Sequence, residues 1–487
     1  MRGDPVLGCL ALAVAVALSC ATGCGPADDE TPAGGPENGE APGNAGVPTN
    51  AGPLKNVVII CVNCFRKDRV GVYSRSGHTP HLDAFAESGS FVFANLVSPA
   101  TWTRPCLYEL LTARDFRKET VHVNAALQED TVVVDPEAVL PEGFLGPRAM
   151  RAAGRSGHRF LWVYQRRLRD VLKLEPVRQL NPPFVLFVHV GTLHDPYATA
   201  CDSADSDAAR LADAPASVRD HYVRAIDTVS RAGRGDDEGI VPRMPFFVAA
   251  FGTDKGNAYR LARKHNVHLG WLVNEQALSA WRSTPTYGVE IDILRRLYEA
   301  NVRAVDAEFA ELLRFLEARG LLDTTIVAVM GDHGEHLMEH GWLQHWMPYE
   351  EVINPPLIVK VPGLLEKTVI IEDQVRTRDV LPTLLDLAGA AIAAPARTSM
   401  DGRSVAGLFK GERIDITAFS TADVQSYAIR RNDGWKLIWH QKTGKKELYN
   451  VKIDPGESKD MAGTRPDIQA VLEEELLLYL LHTHGGP

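Results

Sequence analysis

From Thr325 to Gly341 the chain reads TIVAVMGDHGEHLMEHG. Thr325-Ile-Val-Ala-Val329 is β-branched or apolar at every position rather than at alternate ones. That pattern predicts a strand buried on both faces, the setting of a parallel strand between two helical layers. Gly331 and Gly334 bracket Asp332 and His333 just past the strand, and glycine there predicts a sharp turn at the carboxyl edge, where open α/β sheets place their chemistry. An Asp and a His exposed together at that edge suit a divalent metal. Upstream, Leu294, Leu297, Tyr298, Val302, Val305, Phe309, Leu312, Leu313 and Leu316 recur at helical spacing, with Gly320 as the stop. Helix and strand then form a βαβ-type unit with a right-handed crossover. Within the less regular stretch 198–290, the continuous run Pro245-Phe-Phe-Val-Ala-Ala-Phe251 reads as a strand. That stretch is either an insertion over the active site or an ordinary packed subdomain.

The amino terminus has a different pattern. Arg2 precedes an apolar segment, Val6 to Leu18, too short for a bilayer span and long enough for a signal-peptide core. It runs into Ala21-Thr22-Gly23-Cys24, which resembles a bacterial lipobox with Ala in place of Leu; Cys24 is the expected anchor, with Cys20 and Cys9 in comparable company. Gly25 to Pro53 is rich in Gly, Pro, Ala, Asp and Glu and holds no aromatic and no basic residue. It cannot bury enough apolar area to offset its ordering entropy, so 25–54 is expected to be a disordered linker after a signal peptide at 1–24. The chain is therefore expected to be exported, a lipoprotein anchored in a membrane facing the periplasm or the cell surface. At 487 residues, 45% hydrophobic and 23% charged, the rest is long enough for one large domain and a smaller one. A net charge of −10 offers no broad basic footprint for nucleic acid.

Several further segments follow one another in a telling order. They are Asn56-Val-Val-Ile-Ile-Cys-Val-Asn63, Thr79-Pro-His-Leu-Asp83, Ser98 to Thr112, Phe184 to Tyr197 (FVLFVHVGTLHDPY), the Asp332 block, Tyr349-Glu-Glu-Val352, Asp379 to Asp386, Asp401-Gly-Arg-Ser404, Trp435-Lys-Leu-Ile438 and Glu447-Leu-Tyr449. Together they resemble the sulfatase family of the alkaline-phosphatase superfamily. The resemblance implies an α/β, three-layer, alkaline-phosphatase-like fold with a large mixed, mostly parallel sheet over 55–395. It also implies a small antiparallel subdomain over 396–487, ending in a helix from Asp467 to Leu481. The implied activity is hydrolysis of an anionic ester, with one divalent metal (Zn, Mn or Ca).

Residue by residue, the resemblance implies a metal site from Asn63, Asp332 and His333. Asn63 and Cys64 stand where the family places acidic ligands. Cys64 is a poor ligand for Ca²⁺ and a good one for Zn²⁺, and a His beside the Asp shifts preference toward Zn²⁺ or Mn²⁺. The nucleophile position aligns with Thr103 in Thr103-Arg-Pro-Cys106-Leu107, so no formylglycine is expected, because Thr cannot be oxidised to it. Thr103 could equally cap a helix. His194 and His345 align with substrate contacts, as leaving-group acid or oxygen donors. His189 reads as a satisfied core histidine, and His336 and His340 as solvent-exposed. Lys118, His122, Arg66 and Arg114 are further anion-contact candidates, and a surface ion pair explains either Arg as well. Of the later cysteines, Cys61 and Cys64 point to opposite faces of a strand and do not suit a disulfide. The family layout brings Cys64 and Cys106 to one pocket, as a bridge or as two buried thiols. These features fit a sulfatase-like hydrolase or phosphoryl transferase using Thr103. They also fit an exported binding protein that keeps the fold without turnover, or a sulfatase with an unusual nucleophile.

Overall fold

The computed structural model describes residues 55–116, 159–195, 197, 211–231, 241–251, 275–390, 400–422 and 425–483. The expected signal segment, the linker, Lys118, His122 and Cys201 lie outside these residues.

Asn56–Val62 forms β1 and Phe91–Phe93 forms β2. Helix α1, Thr103–Thr112, follows, then β3 (Arg159–Gln165) and β4 (Phe184–Val190). Helix α2, Tyr287–Ala318, leads through a short turn into β5, Thr325–Gly331. Two more strands, β6 (Leu357–Lys360) and β7 (Val369–Ile371), complete a seven-stranded sheet ordered β7-β2-β6-β5-β1-β4-β3. The four strands β5-β1-β4-β3 run parallel; β6 is antiparallel to both β5 and β2, so the sheet is mixed.

Alternation along the strands sends side chains to two separate cores. Val58, Ile60 and Val62 of β1 join Val327 and Val329 of β5 under helix α2. Val57, Ile59 and Cys61 join Ile326, Ala328 and Met330 on the other face, with Leu107, Leu110 and Leu111 of α1 and Leu381, Leu384 and Leu385 of helix α3, Thr377–Leu387. Burial on both faces is why β1 and β5 read as unbroken apolar runs. Helix α2 extends well beyond the interval its periodicity marks and ends before Gly320, whose φ of +64° suits glycine.

A second sheet of four antiparallel strands, Ala418–Ala422, Ser426–Arg430, Trp435–His440 and Lys446–Asn450, pairs in chain order. Helix Pro466–Thr483 lies on it, with Leu472 and Leu476 against Ile429, Leu437 and Leu448. Fully buried Lys436 pairs with Glu350 at 3.2 Å and Glu457 at 2.8 Å, joining this sheet to the short helix Glu350–Ile353 between β5 and β6.

One predicted strand is a helix. Met244–Phe251 packs Phe246 against Trp281 and Phe251 in the core beside α2. A short apolar run carries no periodicity that separates a buried strand from a buried helix, and the aromatic contacts decide it. The described parts of 198–290 are helical and share the main core, as a packed subdomain would.

Candidate active site

The carboxyl ends of three adjacent parallel strands, β1, β4 and β5, deliver the candidate residues to one place. After β1, Asn63 is followed by Cys64 in the left-handed region at φ 59°, a conformation that costs a non-glycine residue on the order of 1 kcal/mol or more. It turns the Cys64 N–H to donate to Asp332 Oδ1 at 3.2 Å, tying the ends of β1 and β5 together. The same Oδ1 accepts the His333 N–H at 2.7 Å.

Asp332, His333 and Glu335 are fully buried rather than exposed. Nor do Gly331 and Gly334 serve to reverse the chain, since neither adopts a positive φ. They permit close approach: a Cβ on Gly334 would lie 1.9 Å from the Glu351 carbonyl oxygen, and one on Gly331 would lie 2.7 Å from Pro355 Cβ. The neighbouring chain folds down onto the turn and removes it from water.

Thr103 begins α1 but does not cap it. The cap position is Trp102, and no side chain there bonds the helix. Thr103 Oγ1 instead lies 3.3 Å from Asn63 Oδ1 and 3.4 Å from His333 Nε2. His333 Nδ1 lies 2.8 Å from the Gly334 carbonyl oxygen. A carbonyl only accepts, so Nδ1 carries the proton and Nε2 presents its lone pair toward Thr103. Burial pushes the His333 imidazolium down, against the pull of Asp332, to about 4, so the ring is neutral near pH 7. Burial alone would raise the Asp332 carboxyl, but the His333 and His189 rings and the bonds it accepts outweigh that and hold it ionised.

Asp332 Oδ2 has no hydrogen-bond partner although it is buried, and it lies 3.6 Å from His333 Nε2 and 3.7 Å from His189 Nε2. His189 Nε2 is likewise without a partner, so this histidine is not the satisfied core residue the strand position suggests. Unpaired buried charge is expensive, and an anionic oxygen facing imidazole nitrogens is the environment of a metal ligand. Cys64, His333 and His345 each offer a donor atom within 4.8 Å of the other two.

His345 Nδ1 bonds Glu335 Oε2 at 3.1 Å, and Glu335 Oε1 accepts the Tyr197 hydroxyl at 2.8 Å. His194, on the loop after β4, bonds Asp195 through Nδ1 at 2.7 Å and sits 5.6 Å, ring to ring, from His345. Burial works against its charge, but the Asp195 carboxylate more than offsets this and raises it to about 9. Near neutral pH His194 is a cation with a proton on Nε2.

Thus Asn63, Thr103, His194, Asp332, His333 and His345 converge. The sequence reading gave no role to Glu335 or Asp195, which orient the two histidines; their adjacency to His333 and His194 was the available signal. Other candidates drop out. Buried Arg66 bonds Asp68, Glu339 and the Glu335 carbonyl oxygen, bracing the loop rather than facing a ligand. His336 is buried between Glu351 and the Met347 carbonyl, whereas His340 is exposed as expected. Arg114 is half-buried. Cys61, Cys64 and Cys106 are free buried thiols, with no Cys64–Cys106 bridge.

Comparison with known proteins agrees with the fold. The Sulfatase family model matches residues 163–390, and the model for the carboxyl-terminal part of N-sulphoglucosamine sulphohydrolase matches 338–480. These spans hold His194, Asp332, His333 and His345 but not Asn63, Cys64 or Thr103, whose placement is geometric. Arylsulfatase K of Bos taurus is 29% identical over 203 residues, 38% of this chain and 36% of its own, so the match spans about a third of the relative's length. A protein solved with its substrate D-glucosamine-2-N,6-O-disulfate shares the fold with a TM-score of 0.61 at 18% identity, covering 88% of this chain and 98% of its own. A phosphonate monoester hydrolase from Silicibacter pomeroyi does so with a TM-score of 0.53 at 16% identity, covering 88% and 96%. On the two family models, the sulfatase relatives and the shared mixed sheet, the chain belongs to the sulfatase family of the alkaline-phosphatase-like superfamily.

Proposed function

We propose that this protein hydrolyses sulfate or phosphate esters with Thr103 as the nucleophile. The observation that carries the reading is the placement of Thr103 Oγ1, on the first turn of α1, within 3.4 Å of both Asn63 Oδ1 and His333 Nε2. Enzymes of this family generally work with a divalent metal, and the orphaned Asp332 Oδ2 and the unprotonated His333 Nε2 fit one. Asn63, Asp332 and His333 would hold it, and when bound it would supply positive charge to the ester oxygens and favour the alkoxide of Thr103.

The chain's own groups supply the rest. Asn63 aims the Thr103 oxygen, and the amino end of α1 favours an anion beside it. Oγ1, its hydroxyl proton released to solvent, attacks the central sulfur or phosphorus while the bond to the leaving oxygen breaks. His194, kept protonated by Asp195, donates the Nε2 proton to that oxygen. Water then cleaves the ester left on Thr103. His345, fixed by Glu335, is the second hydrogen-bonding group on the same side. A relative's action on sulfated sugars and another's on phosphonate monoesters support an anionic ester as the class. Because Thr103 cannot become formylglycine, the reading excludes that cofactor here.

Turnover of an aryl sulfate and an aryl phosphate by the purified protein, with and without added Zn²⁺, Mn²⁺ or Ca²⁺, tests it. Product release that vanishes in Thr103→Ala supports the reading. Absence of turnover with every metal and both esters favours the second reading, an exported binding protein, which draws on the loss of acidic ligands at Asn63 and Cys64. The amino-terminal pattern supports export and lipid anchoring at Cys24. Incorporation of labelled fatty acid that is lost in Cys24→Ala tests the anchor.

A further inference from the structure

We propose that Gln344 is a positioning residue for the reaction: it clamps the Asp195 carboxylate, and through it the ring of the leaving-group acid His194, while Trp346 fixes the clamp. The proposal rests on the hydrolase reading with His194 as its acid.

The acid needs such a clamp. The His194 side chain is 39% exposed on the loop after β4, so packing alone does not set the direction of its ring. The bond from Nδ1 to Asp195 Oδ1 at 2.7 Å sets it, together with the Asp195 carbonyl oxygen at 2.9 Å. Asp195 lies on the same loop and orients its neighbour only as well as it is held itself. Its second oxygen, Oδ2, accepts the Gln344 side-chain amide at 2.9 Å. Gln344 Oε1 in turn lies 3.1 Å from the Trp346 indole nitrogen. An indole N–H only donates, so the oxygen of the Gln344 amide faces Trp346 and its NH2 faces Asp195. The carboxylate is thus held at both oxygens, by His194 on one and by the loop beyond β5 on the other.

Gln344 reaches Asp195 through an uncommon backbone. Leu343–Gln344 pairs with His336–Leu337, and Leu343 is fully buried in the main core. In a regular strand the side chains of Gln344 and His345 would leave on opposite faces. Gln344 instead lies at φ 64°, a region that costs a residue with a side chain on the order of 1 kcal/mol or more. The kink lets both neighbours serve the site: Gln344 takes Asp195, and His345 takes Glu335. Glycine would make the same turn without that cost, so a glutamine held there points to a task for its side chain.

Gln344→Gly is the decisive variant, since glycine keeps the turn and removes the amide. The full-length protein is assayed on aryl sulfates and phosphates whose leaving groups run from nitrophenol to unsubstituted phenol. An acid matters most where the departing oxygen is most basic. Because a positioned acid contributes about 10²–10⁴-fold, we expect its misalignment in Gln344→Gly to lower kcat about 10–100-fold more on the phenyl ester than on the nitrophenyl ester. A merely structural lesion lowers both alike. Trp346→Phe, which frees the amide to turn, shifts the ratio the same way by less. In Asp195→Asn, adding Gln344→Gly moves the ratio no further, because Gln344 acts through Asp195. A ratio that matches the wild type, or an equal loss on every ester, overturns the proposal.

A second readout needs no turnover. The His194 Nδ1–H proton, bonded to Asp195, gives a downfield imidazole resonance, assigned by its loss in His194→Gln. In Gln344→Gly it should vanish through faster exchange with water. Clamp and turnover therefore fail separately. A wild type that hydrolyses no ester, with the resonance lost in Gln344→Gly, removes the hydrolase reading and upholds the hold of Gln344 on Asp195 and His194. Turnover with both the resonance and the leaving-group dependence unmoved in Gln344→Gly does the reverse.

Discussion

Replacing Thr103 by Ala separates a nucleophile from a helix-start residue, because the structure assigns the two roles very different costs. The hydroxyl makes no capping bond to α1. Its contacts to Asn63 and His333 are long, at 3.3 and 3.4 Å, and the residue is half-buried. A surface-type substitution of this kind changes stability by within about 0.5 kcal/mol, which for a chain of this size moves Tm by less than about 2 °C. Removing an attacking atom is a different matter. Single deletions of a nucleophile lower kcat by on the order of 10⁴–10⁶-fold, or about 5.5–8 kcal/mol of transition-state stabilisation. The assay is steady-state hydrolysis of the better aryl ester, paired with thermal unfolding and metal content of the same preparation. The expected result is loss of turnover with the melting curve and bound metal intact. Thr103→Ser, which keeps the oxygen, should retain most of the rate. A Thr103→Ala protein that turns over within tenfold of the wild type refutes the nucleophile assignment, and one that melts many degrees lower shows that Thr103 was structural.

Other expectations follow from particular contacts. With His194 as acid and its proton held to about pH 9 by Asp195, kcat/KM should fall as pH rises through that value. Asp195→Asn should move the alkaline limb down toward the ordinary 6.5 of histidine; an unmoved limb assigns the acid elsewhere. Gly334→Ala puts a methyl 1.9 Å from the Glu351 carbonyl oxygen and should cost about 3 kcal/mol or more in denaturant unfolding, since backbone rather than a mobile side chain must move. Glu339 is held down to about 2: burial opposes its ionisation, and the Arg66 guanidinium outweighs that. Its contribution is present above the unfolded value near 4.3 and lost as pH falls toward 2, so Glu339→Gln should flatten the acid limb of the stability profile. Lys436→Met removes the buried cation beside Glu457, whereas Glu350 keeps Arg430 at 3.0 Å; it should cost about 3–5 kcal/mol, with part of that recovered in Lys436→Met/Glu457→Gln, as a double-mutant cycle would read.

The sequence by itself determined the elements whose pattern is redundant. β1 and β5 are apolar at every position after their first residues, Asn56 and Thr325, because both faces are covered, and α2 repeats its apolar stripe over many turns, so neither depends on knowing a neighbour. Order along the chain singled out Asn63, Thr103, His194, Asp332, His333 and His345, which the structure gathers in one place. Tertiary structure decided what a linear pattern does not encode. Met244–Phe251 is helical because its aromatics meet Trp281 and the main core, and eight consecutive apolar residues carry no period of their own. Gly334 is glycine because Glu351, seventeen positions later, folds onto it. His189 faces Asp332 across the intervening strand β1, a register invisible in either segment alone. Most of all, Cys64 and His345 meet because a left-handed residue at the end of β1 and a loop beyond β5 bring them together.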